Sequence, residues 1–300
     1  MLSTRTNGKK VMKPTSGALI ESLETRQLLS AWVSRGKLLV DGTQASDRIT
    51  ISNDGLGSIV VTINRTTSSF DEAGLRAMRV RGLNGNDRII LDGEFAMPVS
   101  VYGGNGNDAI YGSDSPETLS GDAGKDCLYG GGGNDSILGG DGWDLLKGEA
   151  DDDTLRGGWC DDDLYGGDGN DDMYGDEDDD YMEGDGGEDL MAGGDDEDTL
   201  GGGDDNDTLS GDGGEDDLYG DDGDDDLYGG DDDDYLSGGF GDDYLDGGLD
   251  DDEIEDFQGY DTLLGGDGDD ILDAHDHRGG DVLNGGKGDD DIYSDHGDRD

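Results

Sequence analysis

Basic residues are scarce: 19 Lys and Arg stand against 79 Asp and Glu in 300 residues. The shortage is local. Residues 1–102 carry 13 basic and 10 acidic residues, whereas residues 103–300 carry 6 and 69. A nucleic acid is thereby excluded as a direct partner of the acidic part, because its phosphates would be repelled. Two cysteines, Cys127 and Cys160, are too few for a disulfide framework. They also lie four repeat units apart, roughly 10 Å along the expected stack, too far for a bridge. No run of about 18 apolar residues exists to cross a membrane as a helix. The three histidines all sit near the C-terminus. No Gly-x-Ser-x-Gly elbow, His-Glu-x-x-His helix or other nucleophile–base pairing is present, so no catalytic activity is expected. An apolar content of 30% with a net charge of −60 would ordinarily leave a chain disordered.

What the chain has instead is a period. From Gly103 it divides every nine residues, without a gap, to Asp273, giving 19 units. The first position is Gly in 18 units, with Asp256 the exception, and the sixth is Asp in 18, with Glu117 the exception. The eighth is always Ile, Leu or Met, from Ile110 through Met173 to Leu272. After two inserted residues the register returns as "GGKGDDDIY", Gly285 to Tyr293, and "GLNGNDRII" at Gly82 to Ile90 is an earlier copy. An acidic tract without structure would not keep an aliphatic residue in one column.

Units such as "GGNGNDAIY", "GGGGNDSIL" and "GGDGNDDMY" match the nonapeptide G-G-x-G-x-D-x-U-x at every defined position. The chain therefore resembles the RTX family of haemolysin-type calcium-binding repeats over nearly two-thirds of its length. The resemblance implies an all-β fold: a right-handed parallel β-roll or β-helix solenoid with two units per coil. It also implies multiple Ca2+ ions held between turns n and n+2 by sixth-position aspartates and turn carbonyls. The metal-ligand residues so implied are Asp108, Asp126, Asp135, Asp144, Asp153, Asp162, Asp171, Asp180, Asp189, Asp198, Asp207, Asp216, Asp225, Asp234, Asp243, Asp252, Asp261, Asp270, Asp281 and Asp290.

Elementary physics agrees. Each unit reads as a Gly-rich turn of about six residues and a three-residue strand, alternation sending the eighth residue inward. At ~4.8 Å per strand, 19 units give a rod on the order of 45 Å long. One aliphatic residue per unit makes a core too thin to offset the ordering of the chain, and stacked aspartates repel. Calcium, taking six to eight hard oxygen ligands, resolves both problems. The fourth position departs from Gly as Asp151, Asp178, Asp196, Asp205, Asp232, Asp250, Cys160 and Ser115; if it requires positive φ, those turns are strained, or their aspartates add carboxylates near the ion. The units "GSDSPETLS" and "DFQGYDTLL" depart most.

Three regions are expected. Residues 1–35 form a basic leader in which "SLETRQLLSA" resembles the LEPR-XLL export leader, with Thr25 where that motif has Pro. Residues 36–102, with β-type runs such as "RITIS", "SIVVTI" and "RIIL", read as an N-terminal segment capping the solenoid, since Asp47–Ile49 and Asp87–Ile89 repeat the Asp-x-aliphatic spacing. A separate small β-domain is the alternative. Residues 103–300 form the repeat rod. His275 and His277, with Asp276, lie where the register breaks and lack a zinc-site spacing, so they read as a surface insertion. Tyr111, Tyr129, Tyr165, Tyr174, Tyr219 and Tyr228 occupy the ninth position, facing outward as strand-favouring surface aromatics or as contacts for carbohydrate or protein. The functional expectation is a secreted or cell-surface calcium-binding solenoid with a structural or adhesive role and a polysaccharide or matrix protein as partner. The alternative is an accessory module of a secreted polysaccharide-modifying enzyme or toxin-like protein.

Overall fold

The computed structural model describes residues 30–275 and 279–294. Residues 1–29 of the expected leader (1–35), together with Asp276 and His277, lie outside them, and Ser30–Ser34 of that stretch forms a strand. No helix occurs among the described residues. Successive strands alternate between two sheets, one of 14 strands and one of 15. Through the repeats each strand pairs in parallel with strands two units away, so that Leu128 lies opposite Leu146, Ile137 opposite Leu155 and Met173 opposite Met191. An 18-residue coil is thus the structural unit, and each coil gives one strand to each sheet. The eighth-position side chains between the sheets are shielded from solvent along the whole rod, from Ile110 to Leu272. The two-residue insertion is absorbed outside the ladder: Leu263 still pairs with Leu283.

The division of the unit differs from the sequence expectation. Strands run for six residues, not three. Ser136–Asp141, for example, joins positions seven to nine of one unit to positions one to three of the next, leaving only Gly142 to Asp144 as the turn. The first-position glycine explains this. It is buried mid-strand, and a methyl group on Gly130 would lie 2.8 Å from the carbonyl oxygen of Gly148. Having no side chain, it lets the strand bend against the neighbouring coil, after which pairing resumes at Gly140 with Gly158. Glycine here permits close approach rather than marking a loop.

The fourth position does carry positive φ: Asp151, Asp178, Asp196, Asp205, Asp232 and Asp250 lie between 68° and 81°, and Cys160 at 75°. Ser115 is not among the residues of positive φ. The second position behaves alike, with Asp122, Glu149, Asp176, Asp185, Asp212 and Asp221 between 71° and 86°.

At one end both sheets are continued by strands from residues 37–102. Lys37–Asp41 and Ala77–Asn84 extend the 14-stranded sheet, and Arg48–Asn53 and Arg88–Asp92 extend the other. Antiparallel partners close this end: Ser30–Ser34 pairs with Lys37–Asp41, and Ser58–Ile63 lies between Arg48–Asn53 and Thr66–Asp71. Ser30–Ser34 and Thr66–Asp71 bury no apolar side chain, whereas the other strands of this end bury two or more, as in Leu38 and Val40, or Ile49 and Ile51.

Candidate metal site

The sixth-position aspartates precede the inward aliphatic by two residues, which places their side chains at the same buried edge of every coil. The backbone N–H of each donates to Oδ1 of the aspartate one coil further on, and the bonds run in two unbroken ladders. One ladder runs Asp47, Asp87, Asp108, Asp126, Asp144, Asp162, Asp180, Asp198, Asp216, Asp234, Asp252, Asp270 and Asp290, at 2.6 to 3.2 Å. The other begins at Glu117 and runs through Asp135, Asp153, Asp171, Asp189, Asp207, Asp225, Asp243 and Asp261 to Asp281, at 2.7 to 3.1 Å. Asp171 therefore neighbours Asp153 and Asp189, while Asp162 and Asp180 belong to the opposite ladder.

Oδ1 is satisfied; Oδ2 is not. In Asp126, Asp144, Asp162, Asp171, Asp198 and most other ladder members, Oδ2 is buried without a hydrogen-bond partner among the described residues. It points at the first-position glycine of its own unit. A methyl group on Gly139 would lie 2.6 Å from Asp144 Oδ2 and 2.6 Å from the Gly157 carbonyl oxygen of the next coil. Each coil thus forms a cradle that any side chain would fill, lined by an anionic oxygen and a carbonyl oxygen. Leaving such a charge buried and unpaired costs several kcal/mol, on the order of the penalty for a lost charged partner.

The chain cannot supply the counter-charge in the interior of the rod, because no Lys or Arg occurs between Arg156 and Arg278. Burial accordingly pushes the carboxyls well above the usual range: Asp171 to about 6, Asp153 to about 7, and Asp180 and Asp207 to about 8. Removal from water is the leading cause throughout. The N–H donated to Oδ1 opposes it, and neighbouring carboxylates add to it. Such a site favours either a proton or a hard cation, and an all-oxygen set of carboxylates and carbonyls fits calcium.

The family model described as RTX calcium-binding nonapeptide repeat (4 copies) matches residues 101–137, 138–173, 165–200, 192–227, 201–236, 219–254, 258–276 and 274–298. The chain belongs to this family. Comparison with curated proteins gives no match. All 20 sequence-identified aspartates fall in the ladders of this RTX solenoid, and all but the half-exposed Asp290 are buried.

Sequence reasoning left four carboxylates out of the candidate ligands. Asp47 and Asp87 extend one ladder into the N-terminal strands and are 6% and 3% exposed. Their Asp-x-Ile spacing was the available signal. Glu117 holds a ladder position, but its longer side chain folds back to accept from the N–H and Oγ of Ser113, at 3.0 and 2.7 Å. Asp256, where every other unit has glycine, reaches the buried edge beside Asp243 and Asp261; burial and the neighbouring Asp261 push it to about 9.

The remaining candidates stay on the surface. His275 pairs through Nδ1 with Asp273 Oδ1 at 2.6 Å and joins no convergent group of ligating side chains among the described residues. Cys127 and Cys160 are free and partly exposed. Ninth-position tyrosines face outward: Tyr111 and Tyr129 stack at 4.9 Å, and Arg88, Lys147 and Arg156 lie over the rings of Tyr111, Tyr165 and Tyr174.

Proposed function

We propose that the protein is an extracellular rod folded by calcium, with a structural or adhesive role at the cell surface or in the matrix, and without chemistry of its own. The observation that carries this reading is the pair of buried ladders, in which one oxygen of nearly every carboxylate lacks a partner and which run without any Lys or Arg in the chain between Arg156 and Arg278. The sixth-position aspartates and the first-position carbonyls of adjacent coils would hold the ions. Calcium would supply the positive charge that lets consecutive coils stack. A repeated site of this kind suits the millimolar calcium found outside cells, where extracellular modules bind at ~10⁻⁴–10⁻³ M. Outward tyrosine pairs and the exposed Trp143 and Trp159 offer flat apolar area for carbohydrate or protein contact.

Circular dichroism of the full chain during calcium titration tests the first half of the reading. The β-signal should rise cooperatively in the millimolar range, and magnesium should substitute poorly because it sheds water reluctantly. The same β-signal in excess chelator would remove calcium from the reading. A glycan-array and cell-surface pull-down with and without calcium tests the adhesive half. Turnover in a calcium-supplemented polysaccharide depolymerisation or epimerisation assay would instead favour an enzyme-associated module.

A further inference from the structure

In the unit Asp256–Leu264 an aspartate replaces the first-position glycine, and the replacement changes what meets at the ladder. Each of three carboxylates there spends Oδ1 on a backbone N–H. Asp243 Oδ1 accepts from Asp225 at 2.7 Å, Asp261 Oδ1 from Asp243 at 3.0 Å, and Asp256 Oδ1 from Gln258 at 3.1 Å. Oδ2 of Asp243 and of Asp256 is buried, in side chains 3% and 1% exposed, with no donor from elsewhere in the described chain, and the two carboxyls lie close enough to share a proton between them. Both oxygens are aimed at the cradle of Gly238. In a typical unit the oxygens nearest that cradle are one carboxylate oxygen and one carbonyl oxygen. Here they are Asp256 Oδ2 and, 2.7 Å from an added methyl group, Asp243 Oδ2.

One oxygen from each of Asp243, Asp256 and Asp261 lies within 4.8 Å of the others, and no other such convergence of three ligating side chains occurs among the described residues. The backbone differs too: Phe257, at the second position, lacks the positive φ that Gly239, Gly248 and Gly266 show there. The nearest basic residues in sequence are Arg156 and Arg278.

We propose that Asp243, Asp256 and Asp261 form a specialised cation site within the rod, tighter than the repeat sites and selective for hard ions of high charge. A third carboxylate in place of a neutral carbonyl adds one formal negative charge at contact distance. Attraction to the ion grows with that charge, and grows further in a buried setting. The site therefore fills first with calcium, and it prefers a trivalent lanthanide over calcium more strongly than the repeat sites do. The proposal rests on the reading that the ladders take up calcium.

Full-length chain titrated with Tb3+ and Ca2+ tests it. Wild type should bind its first equivalent of Tb3+ at least about tenfold more tightly than the following ones, the increment one added buried carboxylate would supply. Asp256→Gly, which restores the consensus residue, and Asp256→Asn, which keeps its size, should each lose that first class. Both should still take up calcium at the remaining sites and show the calcium-dependent β-signal. Persistence of the tight class in both variants would overturn the proposal and leave the ladder reading intact. Absence of calcium uptake by wild type would overturn the ladder reading itself. Terbium lifetimes in H2O and D2O give a measure that needs no variant: the first ion should keep at most about two waters, given six to eight ligands in all. Four or more waters would place that ion on exposed carboxylates and overturn the proposal.

Discussion

The strands of residues 37–102 and those of the repeats belong to the same two sheets yet are held together by different means. Near the N-terminus a coil presents two apolar side chains from each strand, such as Met78 with Val80 and Ile89 with Leu91. Arg81 forms a bidentate pair with Asp41 at 2.8 and 2.7 Å. In the repeats each strand offers one aliphatic residue and a glycine, and the place of further apolar surface is taken by a carboxylate whose second oxygen has no partner. The first region rests chiefly on apolar burial, with Arg81 supplying a counter-charge to Asp41, although Asp87 Oδ2 there is buried without a hydrogen-bond partner among the described residues, as in the repeats. On the proposed reading the second region takes a charge from solvent. One continuous sheet can therefore be stable at one end and conditional along the rest of its length.

The largest expected effect separates the two regions directly. In excess chelator at pH 7.5, hydrogen exchange should show amides of residues 37–102 still protected while those of 109–272 exchange as an unfolded chain. Calcium should restore protection cooperatively. Loss of protection in both regions at once would mean that the N-terminal strands depend on the rod.

Acidity should mimic the metal. The ladder carboxyls are raised in the fold, to about 6 for Asp171 and about 8 for Asp180 and Asp207, from an ordinary value of 3.8. A raised carboxyl favours the fold when protonated. Its contribution is fully present below about pH 4 and is lost as pH rises through about 6 to 8. Calcium-free chain should therefore gain β-structure on acidification to pH 4–5 and lose it by about pH 8–9. The calcium needed to bring out the β-signal should correspondingly fall as pH drops from 8 towards 6, because protonation already favours the fold, whereas filling the sites of the folded rod should take more calcium, because protons compete for the same oxygens. An apo β-signal that weakens on acidification would contradict the buried ladders.

A smaller, local effect distinguishes the middle of the rod from its end. Asp171 lies between Asp153 and Asp189, whereas Asp290 ends its ladder and is half-exposed. Asp171→Ala should remove about two calcium ions and divide the rod into two shorter cooperative blocks. Asp290→Ala should remove one at most and fray only the last coil. Calorimetric titration reads both numbers, and equal losses would show that ions are not shared along a ladder.

Much of this was legible in sequence because the columns are periodic. An aliphatic residue every nine positions implies stacked strands and rows of aspartates, while two units per coil and parallel pairing were what the resemblance to the RTX repeats implied, and the structure shows both. Strand length was not legible, because the first-position glycine has the composition of a turn and the geometry of a strand contact. Asp256 read as a missing glycine, since a column shows what a position has lost and not where the new side chain reaches. Asp47 and Asp87 carried their signal in a spacing without the surrounding glycines. The second position concealed its positive φ because its consensus residue is glycine, for which any φ is ordinary.

That second position sets the smallest contrast, among turns within the rod. Glu149 is held at a φ of 82° and Asp178, at a fourth position, at 72°. A left-handed residue costs an ordinary side chain roughly 1–2 kcal/mol, and Asp less, since a short polar side chain can bond locally. Asp178 does bond: its Oδ2 accepts the N–H of Cys160 at 3.0 Å, one coil earlier. Asp151 does the same for the N–H of Gly133 at 2.8 Å. Glycine at position 178 would relieve strain but lose that bond and gain chain entropy when unfolded, leaving a net effect within about 0.5 kcal/mol. Glycine at position 149 relieves the strain of a longer side chain. Glu149→Gly should therefore stabilise the calcium-loaded rod by up to about 1 kcal/mol, seen as a lower calcium midpoint, whereas Asp178→Gly should barely move it. A larger gain from Asp178→Gly than from Glu149→Gly would show that the fourth-position aspartates are a burden to their turns and not a substitute support.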